Sequence, residues 1–133
     1  MSHSTHNNRE VFPITIFNDE VSLKKLKTDL FSLKSVNKTD NDILSIIVSY
    51  AGGCKKHDFI LATVPLFTTT AESHQVDLVL SHENNGDACK KIVTESLYFD
   101  LFPLKEKYKK VYGIETGSML LHIKNVSITY QFK

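Results

Sequence analysis

The chain has 133 residues and carries 16 Lys+Arg against 15 Asp+Glu, a formal net charge of +1. That length is one domain able to bury a core without staples, and that balance exerts no long-range pull on nucleic acid or anionic lipid. Hydrophobic residues at 41% and charged residues at 23% exclude a disordered chain, while a single arginine (Arg9) and no tryptophan speak against bidentate phosphate recognition and Trp-lined sugar sites.

Residues 1–10 are polar and lack the apolar core of a signal peptide. They read as a disordered tail in which His3 and His6 carry no specific metal signal, and residues 11–133 read as a single β-rich domain. No run approaches the roughly 18 apolar residues of a membrane span. The expected location is cytoplasmic as the sequence stands, or exported if a leader has been trimmed from it.

From Val11 to Phe17, Phe12, Ile14 and Ile16 alternate with Pro13 and Thr15, which predicts a strand. It belongs at an edge, because Pro13 cannot donate to a ladder. In Glu20 to Leu33 the spacing of Val21, Leu23, Leu26, Leu30 and Leu33 is mostly helical, so a short helical piece to about Thr28 is expected, followed by a strand. The run from Lys38 to Asp42 is a turn. Ile43 to Tyr50 is the strongest strand, with Leu44, Ile46, Val48 and Tyr50 on one row. Both its rows carry Ile, which puts it centrally in a sheet.

Ala51-Gly52-Gly53 breaks that strand, and the two glycines allow the positive φ of a tight reversal. His57 to Leu66 returns, ending at Pro65 and the Thr-rich run 68–70. Gln75 to His82 is a strand with Val76, Leu78, Leu80 and His82 on one face. Asn84-Asn85-Gly86-Asp87 turns the chain into the strand Lys91 to Asp100. Pro103 to Tyr112 is a helix, Pro103 fitting its first position and Gly113 the residue past its end. Leu104, Tyr108, Val111 and Tyr112 form its apolar stripe and its lysines a solvated face. Met119 to Ile123 and Val126 to Phe132 form a terminal hairpin. The fold class that follows is an antiparallel β-sandwich of about 7–8 strands with one short helix near 103–112.

Chain direction brings the two cysteines together. The strand from Ile43 reaches one pole at Cys54, the strand from His57 leaves that pole, and the strand from Gln75 returns to it. Each leg is about 8 residues, roughly 26 Å, so Cys89 ends beside Cys54. His57 and His82 share that pole and continue apolar rows, so both rings point inward.

Four chemistries fit this corner of Cys54, His57, His82, Asp87 and Cys89. A Cys54–Cys89 disulfide would close a loop of about 36 residues and add about 4 kcal/mol in the chain-entropy picture. Two reduced, merely structural thiols are the plain alternative. Zinc could be held by Cys54, His57, His82 and Cys89, although His82-x6-Cys89 is not a knuckle spacing. A cysteine nucleophile could use His as base and Asp87 as its orienter. The Asn84–Asp87 loop lacks a calcium-loop pattern, and Gly52-Gly53 is not followed by the Lys-Ser/Thr of a phosphate loop.

The run Ser49-Tyr50-Ala51-Gly52-Gly53-Cys54-Lys55-Lys56-His57-Asp58-Phe59, then Leu80-Ser81-His82 and Gly86-Asp87-Ala88-Cys89, resembles a pattern of small uncharacterised bacterial proteins. These carry Gly-Gly-Cys-x-x-His-x-Phe, Leu-x-His and Gly-Asp-x-Cys. The resemblance covers about Ile43 to Tyr112, including Leu97-Tyr98-Phe99-Asp100-Leu101 with Pro103-Leu104 after it, and brings no established activity. It implies proteins that often carry an export signal or lipid anchor.

The sequence therefore favours a non-enzymatic binding or structural domain, with no cofactor and no nucleic-acid or membrane partner. A metal-binding or thiol-dependent enzyme built on the same corner is the alternative. Homodimerisation through an edge strand is the one partner mode the pattern offers.

Overall fold

The computed structural model describes residues 5–6, 9–39, 41–69 and 74–132. Part of the tail (1–4 and 7–8), Asp40 of the first turn and Thr70 of the Thr-rich run lie outside these residues. Within the segment expected as a tail, β1 (Thr5–His6) pairs with β2 (Arg9–Glu10) as a two-stranded antiparallel unit.

Two sheets face each other across one core. The first has the order β3 (Phe12–Pro13), β10 (Lys91–Asp100), β6 (Ile43–Gly52), β5 (Ser32–Lys38). The second has the order β12 (Val126–Phe132), β11 (Gly117–Ile123), β9 (His74–Glu83), β7 (Asp58–Thr63), β4 (Thr15–Ile16), with β8 (Thr68–Thr69) also on β9. The sandwich is the one the alternating rows predict. Leu44, Ile46 and Val48 of β6 are fully buried against Leu61, Leu121 and Tyr130 of the facing sheet. Not every pairing is antiparallel: β11 runs parallel to β9, β4 to β7, and β3 to β10.

The segment expected as one N-terminal strand is two. β3 adds to the first sheet and β4 to the second, and buried Ile14 lies between them. Ile14 N–H donates to Asp100 O and Phe17 N–H to Thr63 O, so the segment clasps the two sheets at one end. Pro13 sits on an edge, where its missing N–H costs no ladder bond. After it comes α1 (Glu20–Lys24), capped by Asp19, whose carboxylate accepts from Ser22 N–H at 2.7 Å.

α2 (Phe102–Tyr112) ends on Gly113 in the left-handed region, φ 64°. Its buried residues are Leu104 and Tyr108; Val111 of the expected stripe is exposed. Lys105 is not part of a solvated face: its Nζ reaches Asp42 Oδ2 at 2.6 Å, while Tyr130 O–H donates to Asp42 Oδ1 at 2.7 Å. Burial acts to raise the Asp42 carboxyl, but bonds from Lys105 and Tyr130 and the nearby lysine charges outweigh it and hold it low. One turn residue thus ties the β5–β6 connection to α2 and β12.

The pairings that place the corner are two. β6 and β10 are antiparallel neighbours in the first sheet, Gly52 opposite Lys91; β7 and β9 are antiparallel neighbours in the second, Asp58 opposite Glu83. The connections β6→β7 and β9→β10 therefore both cross between sheets, side by side at one pole. The expected tight reversal at Gly52-Gly53 is one of these crossings rather than a hairpin.

Candidate functional site: a locked corner beside an open cleft

Cys54 lies in the first crossing and Cys89 in the second, and their sulfurs are joined as a disulfide with Cα atoms 5.9 Å apart. Asp87 does much of the remaining stitching. Its Oδ2 accepts from Cys54 N–H at 3.2 Å and Lys55 N–H at 3.1 Å, and its Oδ1 from Cys89 N–H at 3.0 Å. The turn around it is built by left-handed Asn85 (φ 56°) and Gly86 (φ 76°), with Gly86 N–H on Asn84 Oδ1. Asn85 Nδ2 donates to Lys56 O and Asp58 Oδ2 in the other crossing.

Behind the disulfide runs a buried polar chain. His57 Nε2 lies 2.9 Å from Asp87 Oδ2, His57 Nδ1 lies 2.8 Å from His82 Nε2, and His82 Nδ1 lies 3.1 Å from Asp29 O. His57, His82 and Asp87 are all buried. The chain ends on acceptors, a carboxylate at one side and a carbonyl at the other. Three hydrogen bonds between them take three protons on four ring nitrogens. The His57 bond is the largest influence holding the Asp87 carboxyl far below the usual range; burial opposes it, and the three backbone N–H groups add to it.

Aromatic rings enclose the pair. Tyr50 stacks on His57 at 4.2 Å between centroids, Phe59 stacks on His82 at 4.4 Å, and Phe31 meets His82 edge-on. Tyr50 O–H donates to Glu95 Oε1 at 2.6 Å, and burial together with Glu95 pushes its phenol up. Gly52 is required here for room, not for a turn. A Cβ on it would stand 2.7 Å from His57 Nε2 and 2.9 Å from Asp87 Oδ2. Gly53 is the one in the left-handed region, φ 108°.

All five residues singled out by sequence meet at this pole. Among the described residues, the metal-ligating groups that converge here are Cys54, Asp87 and Cys89, within 4.8 Å of one another. Their sulfurs are bonded to each other, both His57 nitrogens have protein partners, and the Asp87 oxygens face N–H donors. The same bonding leaves neither sulfur as a thiolate nucleophile in this state.

Sequence reasoning missed Asp29. β11 leaves β9 after Leu78, and the segment 27–29 takes over that edge: Asp29 N–H donates to His82 O, and Asn84 N–H to Asp29 Oδ2. Nothing in the local pattern of Lys27-Thr28-Asp29 signals it. A second polar-aromatic group at the opposite pole was also missed, where His74 Nδ1 bonds Tyr108 O–H and stacks on Tyr112 at 4.0 Å.

Next to the corner is a cleft of about 700 Å³. Its walls are the start of β7 and the middle of β10, its lining includes Phe59, Leu97 and Phe99, and His57 closes one end. Among the described residues, both strands lose a neighbour along part of these walls. β4 covers β7 only at Ala62–Thr63, and β3 covers β10 only at Phe99–Asp100.

No family model and no curated protein sequence matches the chain. Solved structures do match in fold. A protein of unknown function, DUF1344, from Bacteroides vulgatus ATCC 8482 is 18% identical with a TM-score of 0.54 over 92% of this chain and 56% of that one. A NigD-like immunity protein from Bacteroides caccae ATCC 43185 is 19% identical, TM-score 0.59, over 90% and 58%. A candidate lipoprotein from Bacteroides fragilis NCTC 9343 is 7% identical, TM-score 0.56, over 91% and 69%. At these identities the likeness is one of fold alone, and the chain spans less than two thirds of the first two proteins. No helix among the described residues is long and apolar enough to cross a membrane.

Proposed function

We propose that this chain is a non-enzymatic binding domain whose ligand face is the cleft between β7 and β10, and whose Cys/His corner is a structural lock at the end of that cleft. The observation that carries this reading is the double position of His57: it lines the cleft, yet both its nitrogens are engaged in the buried chain to Asp87 and His82. A general base needs a nitrogen turned to substrate; a wall residue needs only to hold still. The disulfide supports use in an oxidising compartment, outside the cell or at its surface. The likeness in fold to a candidate lipoprotein agrees with that setting. The near-neutral charge and the single arginine support a ligand other than nucleic acid.

An NMR screen of small apolar fragments against the uniformly labelled protein tests the ligand face. Fragment hits are expected to shift resonances of Phe59, Leu97 and Phe99 together. Hits that gather elsewhere, or none at millimolar concentration, would contradict the cleft as the binding face.

A further inference from the structure

The walls of the cleft are not ordinary side-chain surfaces. Among the described residues they include the partly unpaired edges of two strands, one from each sheet. β10 is paired to β6 along its whole length from Lys91 to Asp100, but on its other side β3 meets only Phe99 and Asp100. β7 is paired to β9 from Asp58, but on its other side β4 begins at Ala62. β3 runs parallel to β10, so the residues before Phe12 could have continued along it. Arg9–Glu10 stay close to β10, but their strand pairing is with Thr5–His6. Among the described residues, no strand pairs with β10 on that side between Lys91 and Leu97. Unpaired edge N–H and C=O groups are a template for an added strand, and proteins normally cover or shorten such an edge.

The charge on the lining is one-sided. Glu10, Asp58, Glu83 and Glu95 line the cleft with Lys56 as the one lysine. Asp58 and Glu83 are direct cross-strand partners, a like-charge placement that costs stability unless a cation relieves it. Among the described residues, neither is in a salt bridge with a lysine.

From these edges and this charge we infer that the cleft takes an extended basic peptide segment, laid as an added strand along the edge of β10 that enters the cleft at Glu95–Leu97 and continues outside it toward Lys91. The inference rests on the proposed reading of the cleft as the ligand face, and it names the ligand class. The peptide backbone bonds the free edge, alternate apolar side chains enter the gap over Leu97 and Phe59, and the intervening lysines or arginines meet the carboxylates. The corner sets the end of the groove, because the disulfide and Asp87 hold the two crossings closed across it.

The test uses three capped hexapeptides on the full chain: Lys-Val-Lys-Val-Lys-Val, its Glu-Val counterpart, and the Lys-Val peptide N-methylated at alternate residues. The Lys-Val peptide is expected to shift backbone amides of β10 from Ile92 to Leu97 and to slow their exchange. Affinity is expected to fall at least ten-fold for the Glu-Val and N-methylated peptides, and several-fold in an Asp58→Asn/Glu83→Gln variant that keeps its melting temperature. Equal binding of the N-methylated peptide, shifts away from β10, or no binding by the Lys-Val peptide overturns the inference. So does a concentration-dependent dimer that protects the same amides without peptide, since the edge would then belong to a second copy. If fragments bind the cleft but peptides do not, only the added-strand inference fails and the ligand face stands.

Discussion

His57 Nδ1 lies 2.8 Å from His82 Nε2; His57 stands just before β7 and His82 near the end of β9, two neighbouring strands of the second sheet. Their bond is the middle link of a chain from the Asp87 carboxylate to the Asp29 carbonyl. The two ring nitrogens facing each other can share one proton, and the outer nitrogens each donate. A long-range ¹⁵N–¹H NMR experiment on the folded protein is expected to find three protonated nitrogens among these four. Two would mean that one of the three bonds is not made.

The Asp87 carboxyl is held low in the folded state. A carboxylate with a depressed folded value stabilises the fold above its unfolded value, about 3.9, and loses that contribution as the pH falls through the folded value. The melting temperature is therefore expected to fall progressively on acidification below about pH 4. Asp87→Asn should lower stability at pH 7 and flatten this acid limb. Parallel pH curves for the two proteins would show that Asp87 does not carry it.

Gly52→Ala is expected to cost about 1–3 kcal/mol in urea unfolding, because the new methyl must displace either the His57 ring or the Asp87 carboxylate from a buried site. A loss below about 0.5 kcal/mol would mean that the corner yields easily and is not a lock.

Asp42 offers a separate test at the other pole. It sits in the left-handed region at φ 65° and is bonded to both Lys105 and Tyr130. Asp42→Ala leaves the Tyr130 hydroxyl without its acceptor in a left-handed position that alanine dislikes, a cost of about 2–3 kcal/mol. Asp42→Asn keeps an acceptor and tolerates the backbone, and should cost less than half as much. Equal losses would argue against the Tyr130 bond.

Most of the strands were legible because their burial is one-sided. The Leu44/Ile46/Val48/Tyr50 row and the Val76/Leu78/Leu80/His82 row are buried as read, and the Asn-Gly turn and the Gly113 cap fall where their residues put them. The meeting of Cys54 with Cys89 was legible from strand lengths alone. What the sequence could not carry were relations between sheets. Phe12, Ile14 and Ile16 alternate in the same way whether one strand holds them or two sheets divide them. Gly52 looks like a turn glycine until the His57 ring is seen against it. Asp29 reaches the site through its backbone, which no side-chain pattern encodes.

On the reading proposed above, the Cys/His corner is a closed structural lock rather than a reactive or metal-binding site. Alkylation of the native protein followed by intact mass measurement, with and without reductant, tests this. No labelled thiol is expected in the native protein, two are expected after reduction, and reduction should cost roughly 2–4 kcal/mol of stability. Two thiols labelled in the native, unreduced protein would contradict it.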